Sequence, residues 1–123
     1  MPLPPVCIVC LCAAWCRLCD DYRPLFDRMS AELRAQVPDL HARWIDIEDE
    51  ADLVGDLDIE TFPTLVIAGP DGVRFAGPLT PHEETLRRLV MHTIVKAEPG
   101  AAWPAVSQDF VDFASRLAVQ ARR

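Results

Sequence analysis

Residues 6–19 read VCIVCLCAAWCRLC. The first part, Val6 to Leu11, is almost wholly apolar, carries β-branched residues and follows two prolines, Pro4 and Pro5. A short run of this kind predicts a strand buried on both faces, as at the centre of an α/β sheet. From Cys16 onward the pattern changes. Tyr22, Leu25, Phe26, Met29, Leu33 and Val37 recur at spacings of three and four, which predicts a helix from Cys16 to near Gln36, ahead of Pro38. Pro24 falls inside it, where it removes a hydrogen bond and kinks the axis. Cys16 and Cys19 therefore stand where a buried strand hands over to a helix.

A cysteine at a helix N-terminus faces unpaired backbone N–H groups and the positive end of the macrodipole, which favour a thiolate. A second cysteine one turn further on is close enough to attack a mixed disulfide and release its product. CxxC in a βαβ context is thus a redox signal. Two other readings stay open on the residues alone: a pair of inert buried thiols, or part of a metal site. The spacing C-x2-C occurs at 7/10 and again at 16/19, superficially like zinc or iron–sulfur spacing. In a strand, however, Cys7 and Cys10 point to opposite faces and cannot chelate together. Cys7, Cys10 and Cys12 are read as core, with Cys10 expected beneath Cys19 as a possible third thiol or ligand.

Composition narrows the field. The chain has 123 residues, the size of one domain with its own core, and is 50% apolar and 25% charged. Its net charge is −7, and no run of Lys or Arg exceeds Arg122-Arg123, which argues against nucleic acid or an anionic membrane as partner. The apolar beginning has no positive n-region and leads straight into the Cys pair, so it is read as a core strand, not a signal peptide. No stretch approaches the ~20 apolar residues of a membrane span. All five cysteines lie between Cys7 and Cys19. A secreted disulfide framework spreads its cysteines to staple distant loops, so this clustering suggests local chemistry at a reduced site and a cytoplasmic address.

Downstream, His41 to Ile47 predicts a second strand and Glu48 to Asp58 a short helix or loop. Thr64 to Ala68 predicts a third strand, turned by Gly69-Pro70-Asp71-Gly72 into a fourth at Val73 to Ala76. Thr80-Pro81-His82-Glu83 combines an N-cap, a proline at the first helical position and an acidic third residue. The helix it opens is predicted to run to about Lys96 with Leu86, Leu89, Val90 and Ile94 inward. Ala97 to Pro104 is a Pro/Gly-containing linker, and Val106, Phe110, Phe113, Leu117 and Ala121 define a last amphipathic helix. His41, His82 and His92 are scattered and none accompanies a nucleophile, which disfavours a Cys–His hydrolase.

These residues together resemble the thioredoxin family. AWCRLC resembles that family's Trp-Cys-x-x-Cys loop, Pro24 falls where its helix-kinking proline stands, TFPT (Thr61 to Thr64) resembles its cis-proline segment, and Gly77 fits the glycine after its hairpin. The resemblance covers roughly Val6 to Lys96. It implies an α/β thioredoxin-like fold with a central four-stranded mixed sheet flanked by helices. Residues 1–96 would form a thioredoxin-like domain lacking the first strand and helix, and residues 97–123 a linker and an additional C-terminal helix packed on it. It implies Cys16 as the attacking thiol and Cys19 as the resolving one. Pro63 would be cis, leaving the backbone beside Phe62 free to pair with an extended substrate, and Trp15, Arg17 and Leu18 would border the docking surface. No cofactor or metal is expected. The expected partners are protein disulfides, with a reductase or glutathione as electron donor, and the expected state is a monomer or weak dimer. Two departures stand out: the family's buried aspartate, six residues before the first Cys, is Cys10 here, and its buried lysine is Trp44. An alternative within the same fold is a non-catalytic interaction or regulatory domain.

Overall fold

The strand predicted from the opening stretch is the axis of the molecule. In the computed structural model, which describes residues 6–38, 40–55, 57, 59, 63–69, 72–78, 82–95, 103 and 105–121, β1 (Cys7–Cys12) is buried along its whole length. It pairs in parallel with β2 (His41–Asp46) and antiparallel with β3 (Thr64–Gly69). β3 in turn pairs antiparallel with β4 (Gly72–Pro78). The four-stranded mixed sheet has the order β2-β1-β3-β4. Gly72, at the start of β4, has φ 118°, which only glycine adopts without strain, so the tight entry into β4 depends on it. Pro70 and Asp71, the centre of the predicted turn, lie outside the described residues.

Side chains alternate along a strand, so β1 feeds two cores. Ile8, Cys10 and Cys12 join α1 (Arg17–Gln36) in a core with Tyr22, Phe26, Met29 and Leu33. Cys7, Val9 and Leu11 join Ile45, Leu53 and Val66 on the other face. The separation of Cys7 from Cys10 expected from strand geometry is what the structure shows. α1 runs through Pro24 and buries the predicted stripe, with Leu25 half-buried.

After β2 comes the single-turn α2 (Ala51–Val54). Beyond β4, α3 (Glu83–Val90) starts later than the capping pattern predicted, with His82 at its N-cap and no side-chain cap hydrogen bond. Thr80 and Pro81 lie outside the described residues. α3 passes into a π-helical turn over Met91–Val95 in place of continuing as α-helix. Thr93 sits at this wider turn, its hydroxyl donating to the Leu89 carbonyl at 2.7 Å while its own carbonyl accepts from Arg74 at 2.7 Å. Of the predicted inward residues, Leu86, Val90 and Ile94 are buried and Leu89 packs against the core half-buried. Apart from Trp103, the predicted linker over Ala97 to Pro104 lies outside the described residues. Trp103 makes an edge contact with His92 and lies under the Arg74 guanidinium.

The last helix, α4 (Gln108–Ala121), closes the second core. Phe113 and Leu117 are buried there and Phe110 packs at its edge. Burying each such side chain contributes roughly 1.5–3 kcal/mol. Arg116 ties α4 to the end of α2, its guanidinium donating to the Leu53 and Val54 carbonyls at 2.8 Å each. These are carbonyls that a helix end leaves unpaired. Gly55, with φ 61°, lets the chain turn beside that guanidinium, where a Cβ would lie 3.0 Å from it. The side chain of Ala121, the last predicted inward position, lies outside the described residues.

Candidate functional site

The loop after β1 places the cysteine pair. The Cys16 N–H donates to the Ala13 carbonyl at 3.0 Å, closing a turn that carries Trp15 outward, 68% exposed. Cys16 is the N-cap of α1, in extended backbone (φ −90°, ψ 115°) and without a side-chain capping hydrogen bond. It is half-buried, Arg17 is exposed and Leu18 is 50% exposed. Cys16 stands at the positive end of a 20-residue helix, an end that favours an anion. Cys19 is 2% exposed. None of the five cysteines is in a disulfide.

Behind Cys16, the thiols Cys10, Cys12 and Cys19 are buried in one core cluster, with Cys16 packed against it. Cys12 Sγ lies 3.5 Å from Cys10 Sγ. Cys10 and Cys12 share the face of β1 that packs on α1, as strand alternation predicts, with Cys12 nearer the α1 end. Burial first, and the hydrogen bond from Cys12 second, push the Cys19 thiol well above the ordinary range. Cys12 is pushed far up by its hydrogen bond with Cys10 and by burial. Tyr22 is raised too, by burial and then by the field of Cys10 and Cys12, and its buried hydroxyl has no hydrogen-bond partner among the described residues.

Pro63 is buried at the entry to β3. Because Thr64 pairs with Leu11, the register sets Pro63 at the same sheet end as the Cys loop. Phe62 and Thr61 lie outside the described residues. Trp44, at the family's lysine position, pairs with Cys10 across the ladder and packs edge-on against Phe26, with Arg23 over its ring. A cavity of about 380 Å³ opens beside this group, bordered by Cys12, Cys19, Trp44 and Arg23 and rimmed by Asp20, Asp46, Asp49 and Glu50. Among the described residues, no group of three or more His, Cys, Asp or Glu is arranged to hold a metal ion, and no helix is long and apolar enough to cross a membrane.

A strand feeding a helix that begins at a half-exposed cysteine, with a second cysteine one turn inside, is the arrangement of thioredoxin-fold proteins. The family profile described as thioredoxin matches residues 4–87, and the chain belongs to that family. A comparison with curated proteins gave no match. Among solved structures, the chain is similar to thioredoxin NaTrxh from Nicotiana alata, at 19% identity and TM-score 0.59, covering 72% of this chain and 73% of that one. It is similar to the Malassezia sympodialis thioredoxin at 16% identity and TM-score 0.61, covering 73% and 78%. The germline-specific thioredoxin Deadhead of Drosophila melanogaster matches at 14% identity and TM-score 0.59, covering 71% and 79%.

Proposed function

We propose that this protein is a thiol–disulfide oxidoreductase acting on protein disulfides. The observation that carries the reading is the placement of Cys16, half-exposed at the start of α1, with Cys19 buried one turn inside the helix. The Cys16 thiolate attacks one sulfur of a substrate disulfide, breaking that bond and releasing a substrate thiolate, which takes up a proton. Cys19, after losing its proton, attacks Cys16 Sγ and expels the second substrate thiolate. The substrate gains two electrons and two protons, and the domain is left with a Cys16–Cys19 disulfide. A reductase or glutathione, in a reducing compartment such as the cytoplasm, returns the pair to dithiol. Trp15 and Leu18 supply an apolar rim, and the backbone beside Phe62 and a cis Pro63 serve as the strand-pairing edge.

Reduction of insulin by dithiothreitol tests this. Wild type accelerates precipitation, Cys16→Ser does not, and Cys19→Ser accumulates a mixed disulfide visible by mass. A wild type equal to the blank, or activity that survives without Cys16, overturns the reading. One observation favours a second reading, a domain that retains bound partners without turnover. The position of the family's buried aspartate holds a thiol, Cys10, and Cys19 is raised well above the ordinary range, so resolution is slow and a mixed disulfide outlives its formation.

A further inference from the structure

The exchange just described uses two sulfurs of a larger cluster. Cys10, Cys12 and Cys19 are buried together with Cys16 packed against them, and the Cys19 thiol is raised in part by Cys12 and by Cys16. Cys12 and Cys19 both border the 380 Å³ cavity. We infer that Cys12 is a third redox thiol, which takes Cys19 over from Cys16 and leaves the oxidised domain with a buried Cys12–Cys19 disulfide and a free Cys16. This rests on the exchange reading of the Cys16–Cys19 pair.

The step balances without an outside reagent. The Cys12 sulfur attacks Cys19 Sγ, the Cys16–Cys19 bond breaks as the Cys12–Cys19 bond forms, and the electron pair leaves with Cys16. The proton from Cys12 passes to that thiolate or out through the cavity. Nothing is oxidised or reduced overall; the disulfide moves inward. The leaving sulfur is the one at the helix N-terminus, where negative charge is favoured. Cys10 does not compete for Cys12. Residues two apart in one strand have Cα atoms roughly 6.7 Å apart, close to the upper limit of a disulfide span.

The transfer is slow, because burial and the hydrogen bond with Cys10 keep Cys12 protonated. It belongs to the minutes-to-hours range of uncatalysed disulfide rearrangement. Its consequence is a change of role. The oxidised domain regains its nucleophile, and Cys16 then captures a second disulfide that Cys19, already bonded inward, does not release.

Peptide mapping of the full chain tests this. The protein is oxidised with stoichiometric diamide, sampled over hours into iodoacetamide, and cut with trypsin and chymotrypsin. Cleavage after Leu11, Trp15 and Arg17 separates Cys12, Cys16 and Cys19 onto different peptides. The expected result is alkylated Cys16 growing in step with a linked Cys12–Cys19 peptide, both lost in Cys12→Ala. Cys16→Ser, changed at a half-exposed position, forms the Cys12–Cys19 link directly and stands independently of the core variant. A wild type that holds only the Cys16–Cys19 link, with Cys16 blocked throughout, overturns the third-thiol inference and leaves the exchange reading intact. A wild type that forms neither link overturns both.

Discussion

The two faces of β1 differ more than their shared burial suggests. One face carries Ile8, Cys10 and Cys12 against α1, and continues into Cys19 and Cys16. The other carries Cys7, Val9 and Leu11 and is sealed by Phe113 and Leu117 of α4. Cysteine appears on both, and as a small apolar residue it packs equally well on either. Only on the α1 side do thiols meet thiols. Reactivity here is a matter of neighbours and of an opening to the surface, whereas stability asks only that both faces be filled.

Breaking one face at a time sharpens this contrast. The largest effect is expected from Cys16→Ser, which removes insulin reduction altogether. Cys7→Ser, made on the opposite face, leaves the rate per folded molecule unchanged. A loss in both variants, scored against folded protein by circular dichroism, would mean the two faces are not separable.

Next in size is Phe113→Ala, expected to destabilise by about 3–5 kcal/mol in urea titration while the folded fraction keeps its exchange rate. Arg116→Met leaves the Leu53 and Val54 carbonyls without their donor and is expected to cost about 1–3 kcal/mol, read as a lower urea midpoint. A cost near zero would show that α4 is held by its apolar side chains alone.

The thiol face also predicts a pH dependence. Cys7, Cys12, Cys19 and Tyr22 are all raised in the folded protein. They stay protonated when folded but lose protons in the unfolded chain once pH passes the ordinary thiol value of 9.0. The unfolded state then binds fewer protons, so stability is full below that value and falls as pH rises above it. At any pH below its raised value, 7 to 9 included, the release of a mixed disulfide by Cys19 quickens by roughly tenfold per pH unit. Stopped-flow release rates that stay flat between pH 7 and 9 would show that Cys19 attacks without losing its proton beforehand. The smallest effect is expected from Tyr22→Phe, which removes a buried hydroxyl with no partner among the described residues and is expected to leave stability within about 1 kcal/mol or raise it.

Much of this was readable from the chain. The apolar run before the cysteines, the stripe from Tyr22 to Leu33 and the two Gly residues around the β3–β4 turn led to the strand, the long helix and the hairpin, because periodicity and turn chemistry are local properties. α3 begins at Glu83, with His82 as its N-cap, later than the Thr80-Pro81 capping pattern predicted. The π-helical turn at Met91–Val95 had no signal in the sequence; the Thr93 carbonyl within it accepts from Arg74 of β4, a contact between elements far apart in the chain.

The cysteine loop shows the same division at the level of chemistry. Residue types and spacing alone established that Cys16 begins a helix, that Cys19 follows one turn later and that Cys7 and Cys10 part company, because helix and strand periods admit no other arrangement. Folding alone settled that Cys12 and Cys19 border one acidic-rimmed cavity shared with β2 and that a remote helix seals the far side of the sheet. Those arrangements depend on how elements pack rather than on any local rule.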